Sequence, residues 1–504
     1  PLSPRLFRFK AEKKTEPDAR MQSENFWTEH RPLALSPSED RLSLFVERIY
    51  NIEGFSPIIW VGKSLIENYI PTSIDPKDPS KLDIGPVNTT VTTNPVDGVR
   101  LRASLQTTAN LNPHMFWRGY LAYGFRDQRW KGLGEVTYSF RRKAYLPMEF
   151  PVSNLTFTYS YDVSVPSDQY LTTDKDNVFM AFKWADVKHM TYDRSFKLVY
   201  DQEWDYGLQW RAQLRHDMTE PTYKLFYQPV VNGIHYDAQG NYNPRPFGPG
   251  DGTSFSARNR RYLRTTDFAV LLQYQPGVAY INTKQRRILV NKEAPIYRIS
   301  HMAGLRGVWS DYTYNLTEVG VRKRVWLRSW GRMDFDFAAG AQWNRVPFPL
   351  LIMPRANLAY VYDDDMYYLV DNMEFLNDRY AQLMFNWSMN GKIFNRIPLF
   401  NRLKWREHVG FNILWGRLTD KNNPYLEKNK TRSDLYYFPG EFNPDGSFRQ
   451  QSKVMDPQVP YVEAAFGIHN IFKLFHIDYV RRFTYLDDPR TTRWGIRFMA
   501  RVIF

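Results

Sequence analysis

The chain is 504 residues long, carries a formal net charge of +14, contains no cysteine and is 16% aromatic, with 33 Tyr, 34 Phe and 15 Trp. The lack of cysteine excludes disulfides, thiolate metal sites and cysteine nucleophiles. No stretch approaches the roughly 18 uninterrupted apolar residues of a membrane helix. The basic residues stand singly at alternate positions, which argues against a nucleic-acid surface and for pairing with anionic lipid headgroups or carboxylates.

Residues 1–35 are charged and irregular, and the sequence starts at Pro1 without the N-terminus of a precursor, so secretion is an inference. In ALSPSEDRLSLFVERIYN, Ser36 reads as an N-cap, Pro37 as the first helical residue and Glu39 as the capping-box partner. Leu42, Phe45, Val46 and Ile49 give that segment one apolar face, predicting a short amphipathic helix near 37–50. Residues 1–57 therefore read as a periplasmic extended segment with one helix. Residues 58–97 read as a connector or plug-like segment with possible short strands.

From Gly98 to Phe504 the pattern is alternation. In GVRLRASLQTT, Val99, Leu101, Ala103 and Leu105 oppose Arg100, Arg102, Ser104 and Gln106. In SNLTFTYSYDV, Leu155, Phe157, Tyr159, Tyr161 and Val163 oppose Asn154, Thr156, Thr158, Ser160 and Asp162. RMDFDFAAGAQW places Asp334 and Asp336 opposite Phe335 and Phe337. The closing TTRWGIRFMARVIF sets Trp494, Ile496, Phe498 and Phe504 against Arg493, Arg497 and Arg501, a strand whose apolar file would face lipid. Trp494, Phe498 and the terminal Phe504 together read as a C-terminal insertion signal. High aromatic content and a mean hydropathy of -0.54 fit a transmembrane β-barrel, where a polar lumen cancels an apolar outside.

Sixteen segments alternate, near 98–108, 115–126, 131–142, 153–163, 176–185, 190–203, 206–216, 262–275, 295–309, 312–325, 332–344, 379–389, 403–416, 460–469, 472–485 and 492–504. The expected fold is an all-β, antiparallel outer-membrane barrel of about 16 strands, with 14 as the other even count. The longest connections, about 217–261, 346–378 and 417–459, follow odd-numbered strands and so share one rim, read as the outer surface.

Four stretches resemble a Bacteroidota outer-membrane family: FWTEHRPLALSPSE, NPVDGVRLR, FWRGYLAYGFRDQRWKGLGEVTYSF and PYVEAAFGIHNIFKLFHIDYVRRFTYL. Its members join an N-terminal carboxypeptidase regulatory-like domain to a C-terminal barrel domain of unknown function. Asp97 stands where that family usually has Glu. The resemblance implies that a regulatory-like domain precedes Pro1 and that the barrel works with protein partners. More weakly, the closing strands resemble the outer-membrane assembly and translocation barrels, whose VRGY-type loop motif has no counterpart here.

Asn94, Asp97, Gly98 and Arg100 form a junction motif at the first strand, with turn chemistry as the plainer reading. Arg102, Arg118, Arg211, Arg497 and Arg501, with Glu135, Asp162, Asp334, Asp336 and Asp478, are expected to form an ionic network across the lumen. Asp363, Asp364 and Asp365 are the one candidate metal loop. They lack the glycine and spacing of a calcium loop and read as a solvated outer loop, so no metal and no cofactor are assigned. FGPGDGTS lacks the lysine of a phosphate loop. His476 with Asp478 is the only catalytic seed, and no nucleophile accompanies it.

The expected role is a non-catalytic subunit or accessory of an outer-membrane protein assembly or secretion complex. The alternative is a porin or receptor for small solutes. Outer-membrane lipids, lipopolysaccharide and protein partners are expected contacts. Ile496→Arg is expected to cost about 2–4 kcal/mol near the bilayer midplane, and Arg497→Ile much less.

Overall fold

The computed structural model describes residues 67–500 apart from 74–77, 168–182, 231–261, 443–447 and isolated positions such as 283 and 362. The predicted helix near 37–50, the FGPGDGTS loop, Arg501 and Phe504 lie outside the described residues. The chain divides into residues 1–66 and 67–504.

The described residues form twenty-two strands, in chain order. The first three are short: β1 (Ile70–Pro71), β2 (Leu82–Ile84) and β3 (Val91–Asn94). Then come β4 (Gly98–Thr107), β5 (Met115–Gly124), β6 (Trp130–Ser139), β7 (Ser153–Ser164), β8 (His189–Glu203), β9 (Leu208–Tyr223) and β10 (Leu263–Tyr274). A hairpin of β11 (Tyr280–Asn282) and β12 (Arg287–Leu289) precedes β13 (Ile296–Gly304), β14 (Asn315–Trp326), β15 (Arg332–Gln342), β16 (Arg379–Ser388) and β17 (Arg406–Arg417). A second hairpin, β18 (Gly440–Phe442) and β19 (Phe448–Gln450), precedes β20 (Tyr461–Ile471), β21 (Phe475–Arg482) and β22 (Trp494–Ala500). Fifteen long strands pair antiparallel, each with its neighbour in sequence, from β4 to β22. Among the described residues no strand pairing joins β22 back to the first strands.

The faces obey the alternation, inverted relative to a soluble sheet. On β4, Val99, Leu101 and Leu105 are exposed while Arg100, Arg102 and Gln106 are buried. On β21, Phe475, Ile477, Tyr479 and Arg481 are exposed, and His476, Asp478, Val480 and Arg482 are buried. Trp494, Ile496 and Phe498 are exposed on β22 and Arg497 is buried, which places the apolar file outward as the sequence indicates. Polar groups facing inward and apolar groups outward are stable only where the outside is hydrocarbon. Exposed tryptophans gather near the strand ends: Trp117, Trp204, Trp326 and Trp330 toward one rim, Trp130, Trp309, Trp343, Trp415 and Trp494 toward the other. Two such girdles match the two interfaces of a bilayer.

The fifth expected strand, 176–185, lies outside the described residues except for Lys183 and Trp184. β7 pairs directly with β8, Ser153 opposite Gln202 through Ser164 opposite Thr191, leaving no place between them. Of the 176–185 segment, Lys183 instead bridges Ala359 and the Trp184 amide donates to the Leu358 carbonyl. In the sequence DNVFMAFKWA, Phe179 and Ala181 are apolar on one parity and Met180 and Phe182 on the other, which does not separate a lipid face from a lumen face.

A sixteenth span comes from residues 82–94. β2 pairs with Leu105–Thr107 and β3 with Gly98–Leu101, while the Gly85 amide to Ser104 and the Arg102 amide to Thr90 continue the ladder between them. With this span counted first, the connections 165–188, 224–262, 343–378 and 418–460 all fall on one rim, and the opposite rim carries the shorter turns at 204–207, 327–331 and 472–474.

Ile496 is the third residue of β22 from the long-loop rim, so Ile496→Arg is expected at the low end of the range above. Leu121, 63% exposed and well inside β5, is the better probe. Leu121→Arg is expected to cost about 2–4 kcal/mol in urea unfolding from lipid vesicles, and a wild-type midpoint would show that this face does not meet hydrocarbon.

Candidate functional site

The interior is the candidate site, and its long-loop half is filled by the chain's own connections. Val346, Ala356, Leu358, Ala359, Tyr367, Val370, Phe375 and Leu376, all from 343–378, are fully or nearly fully buried. Apart from Ala359, they pack with Met384 and Leu414 of the wall, with Tyr461 and with Met455 of the 418–460 connection into two apolar clusters. This segment lacks periodicity but is rich in Tyr, Leu, Met and Phe, so it gains by burial wherever a polar wall supplies partners for its backbone.

Glu463 of β20 supplies two of them. Its carboxylate, with no exposure, accepts the amides of Tyr368 (2.8 Å) and Leu369 (2.9 Å), the Asn412 side-chain amide (2.9 Å) and the Tyr461 hydroxyl (2.7 Å). Arg497 donates from Nε and Nη2 to the Tyr368 carbonyl, at 3.2 and 2.7 Å, and lies over the Trp184 ring. Arg482 grips Glu374 with both terminal nitrogens at 3.0 and 2.7 Å. Arg322 of β14 holds Asp365 together with Asp336. At the free edge of β22, the Phe498 amide donates to the Tyr360 carbonyl at 2.8 Å, so the inserted segment reaches the last strand's edge.

The acidic loop is therefore not solvated as expected. Asp363 is buried and accepts the Asp365 amide, and Asp365 is an anchor to the wall. Burial pushes the Asp365 carboxyl up, and the adjacent Arg322 pulls it the other way.

Asn94, Asp97 and Gly98 close the hairpin between β3 and β4. The Asn94 side-chain oxygen accepts the amides of Val96 and Asp97, and Gly98 takes φ +65°. The turn chemistry and the lumen contact coexist. Asp97 meets Arg100 at 3.2 Å and also Lys131, and Arg100 reaches Asp162 of β7 through two bonds of 2.6 and 2.8 Å. Tyr120 donates to the same Asp162, and Lys131 also pairs with Asp127 at 2.5 Å. This hairpin sits at the long-loop rim.

The other expected lumen residues pair mostly along the wall, between adjacent strands. Arg118 meets Glu135 (3.0 Å), Arg211 meets Asp201 (2.6 Å), and Arg324 meets Asp334 (2.6 Å). Asp336 takes Arg298 (3.0 Å) and Arg322. Arg102 stacks on Tyr120, its guanidinium 3.8 Å from the ring centre. Asp478 accepts two histidines, His408 (2.7 Å) and His469 (3.0 Å). Lys131, Asp127, Glu463, Glu374 and Arg482 join the network in addition to the residues expected from sequence. Glu463 and Arg482 carry a signal there, as charges on the polar parity of VEAAFG and DYVRRF.

Arg497→Ile is consequently not cheap. Arg497 is 1% exposed and holds the Tyr368 carbonyl, so its loss is expected to cost about 2–3 kcal/mol, the worth of hydrogen bonds to a charged group. A wild-type unfolding midpoint for the variant would remove Arg497 from the anchor.

The short-turn half keeps a cavity of about 600 Å³, bounded by β4–β10 and lined by Arg118, Glu135, Lys197, Asp201, Arg211 and Arg287 among others.

Residues 71–429 match the C-terminal domain of a family of unknown function, DUF5686. No curated protein matches the sequence. Among solved structures, BamA from Haemophilus ducreyi lacking POTRA domains 1–3 is similar over 81% of this chain and 68% of that one, at 10% identity and TM-score 0.44. CdiB from Acinetobacter baumannii is similar over 81% and 57%, at 9% identity and TM-score 0.38. A mutant of the ferric enterobactin receptor PfeA from Pseudomonas aeruginosa is similar over 78% and 60%, at 8% identity and TM-score 0.27. The chain thus spans less than two thirds of the last two. Identities this low say nothing of what the chain binds.

Proposed function

The chain belongs to the DUF5686 C-terminal domain family, and from that footing we propose that it is a non-catalytic outer-membrane barrel serving as a subunit or accessory of a protein assembly or secretion complex. The observation that carries this reading is the inserted 343–378 segment, which closes the long-loop half of the lumen and is tied to the wall by Glu463, Arg497, Arg482 and Arg322. A barrel that transports solutes through its lumen has no use for so many anchors on an obstruction. One that meets other proteins gains a rigid, aromatic outer face from them. The two tryptophan girdles support contact with outer-membrane lipids, and the net positive charge suits anionic headgroups such as those of lipopolysaccharide. On this reading the organism is a member of the Bacteroidota. A carboxypeptidase regulatory-like domain would precede the barrel on the short-turn, periplasmic side.

The second reading, a solute pore or receptor, rests on the charged 600 Å³ cavity at the short-turn rim. Native purification through a tag on this chain, with mass spectrometry of what accompanies it, separates the two. Stoichiometric outer-membrane or periplasmic assembly and secretion subunits are expected. Recovery of the protein alone, binding a small solute in that cavity, would turn the assignment to the receptor.

A further inference from the structure

Three consecutive wall strands bring histidines and a carboxylate to one buried point. His408 of β17 is in register with Gly467 of β20, and Gly467 with Asp478 of β21. Gly467 has no side chain to stand between them. A Cβ there would fall 1.8 Å from Asp478 Oδ1, so only glycine lets the carboxylate lie across β20 toward β17. Asp478 uses that space to meet His408 Nδ1 at 2.7 Å, and its two oxygens lie 3.2 and 3.0 Å from His469 Nε2. The His408 and His469 rings stack with centres 4.1 Å apart, and His476 stands edge-on to His469 at 4.4 Å. All four residues are buried, on the lumen side of the wall and toward the short-turn rim.

We propose that His408, His469 and Asp478 form a binding site for a divalent transition-metal ion of the zinc type. Imidazole nitrogen and carboxylate oxygen are the ligand chemistry of Zn²⁺, and their affinities rise along the first-row series toward Cu²⁺. The donor atoms of the three residues all lie within 4.8 Å of one another. A tetrahedral ion with bonds near 2.0–2.1 Å needs donors about 3.4 Å apart. Two of the separations are already at or inside that spacing, and because the two imidazoles are stacked, loading requires one of them to turn until its nitrogen lone pair points at the ion. An ion there would staple β17, β20 and β21 at the rim opposite the inserted segment. Sequence spacing gave no hint of it, because the ligands come from three strands and the enabling residue is a glycine.

The test uses the full chain, folded in detergent, stripped with EDTA and dialysed. The wild type is expected to rebind one Zn²⁺ per chain by elemental analysis, and Co²⁺ is expected to give the intense visible ligand-field bands of a tetrahedral site. His408→Ala and His469→Ala, checked for heat-modifiable migration on gels, are each expected to weaken Zn²⁺ binding at least tenfold. Folded wild-type protein that binds no stoichiometric Zn²⁺, or that gives only the weak Co²⁺ spectrum of a hydrated ion, would overturn the site whatever the variants do. Folded histidine variants that bind as tightly as the wild type would overturn it equally.

Discussion

Replacing Glu463 by glutamine is expected to loosen the segment that fills the lumen. Four donors converge on this one carboxylate: two backbone amides of the inserted segment, Asn412 and Tyr461. Glutamine keeps the volume but turns an NH₂ group toward at least one of those donors, and the remaining carbonyl oxygen cannot serve all the rest. Each buried donor left unmatched costs about 1–3 kcal/mol, so a total near 3 kcal/mol or more is expected. The loss falls on the contact between wall and segment. Faster hydrogen exchange at the Tyr368 and Leu369 amides should therefore accompany a lowered urea midpoint. Unchanged exchange at those two amides would show that the segment is held without Glu463.

The second large effect is expected at the hairpin between β3 and β4. Asp162→Ala removes the carboxylate that Arg100 grips through two bonds and leaves Arg100 facing Asp97, which Lys131 also holds. Breaking one side of a buried ion pair costs about 3–5 kcal/mol, while replacing both partners by apolar residues often costs little. Arg100→Met with Asp162→Leu is therefore expected to be more stable than Asp162→Ala alone. A double-mutant cycle in urea of Arg100→Met, Asp162→Leu and the two together measures this. Additive losses would mean that the two side chains do not act as a pair.

How much of this was legible in the sequence depends on whether a segment faces two different media. β4, β21 and β22 face hydrocarbon on one side and the lumen on the other, so their alternation reads directly as orientation. The 176–185 segment has apolar residues on both parities, and β7 pairs directly with β8 where a strand between them would stand. The span at 82–94 was harder still, because Gly85, Pro86 and the turn at Val87–Thr89 break its period into two short pieces. Lumen charges were legible as inward-facing. Their partners were not, since pairing Arg211 with Asp201 or Arg118 with Glu135 depends on register, which is set by turns whose geometry composition does not specify. By sequence the inserted segment has the length and polarity of an exposed outer loop. Its Tyr, Phe and Asn content suits protein contact, and the protein it contacts is its own wall.

The central claim is that this wall encloses a lumen closed by its own chain. Planar-bilayer recording of the purified wild-type protein tests it most directly. The account predicts insertion, verified by flotation with the same lipid, without steady ion conductance. A stable open current from the wild-type protein would contradict it.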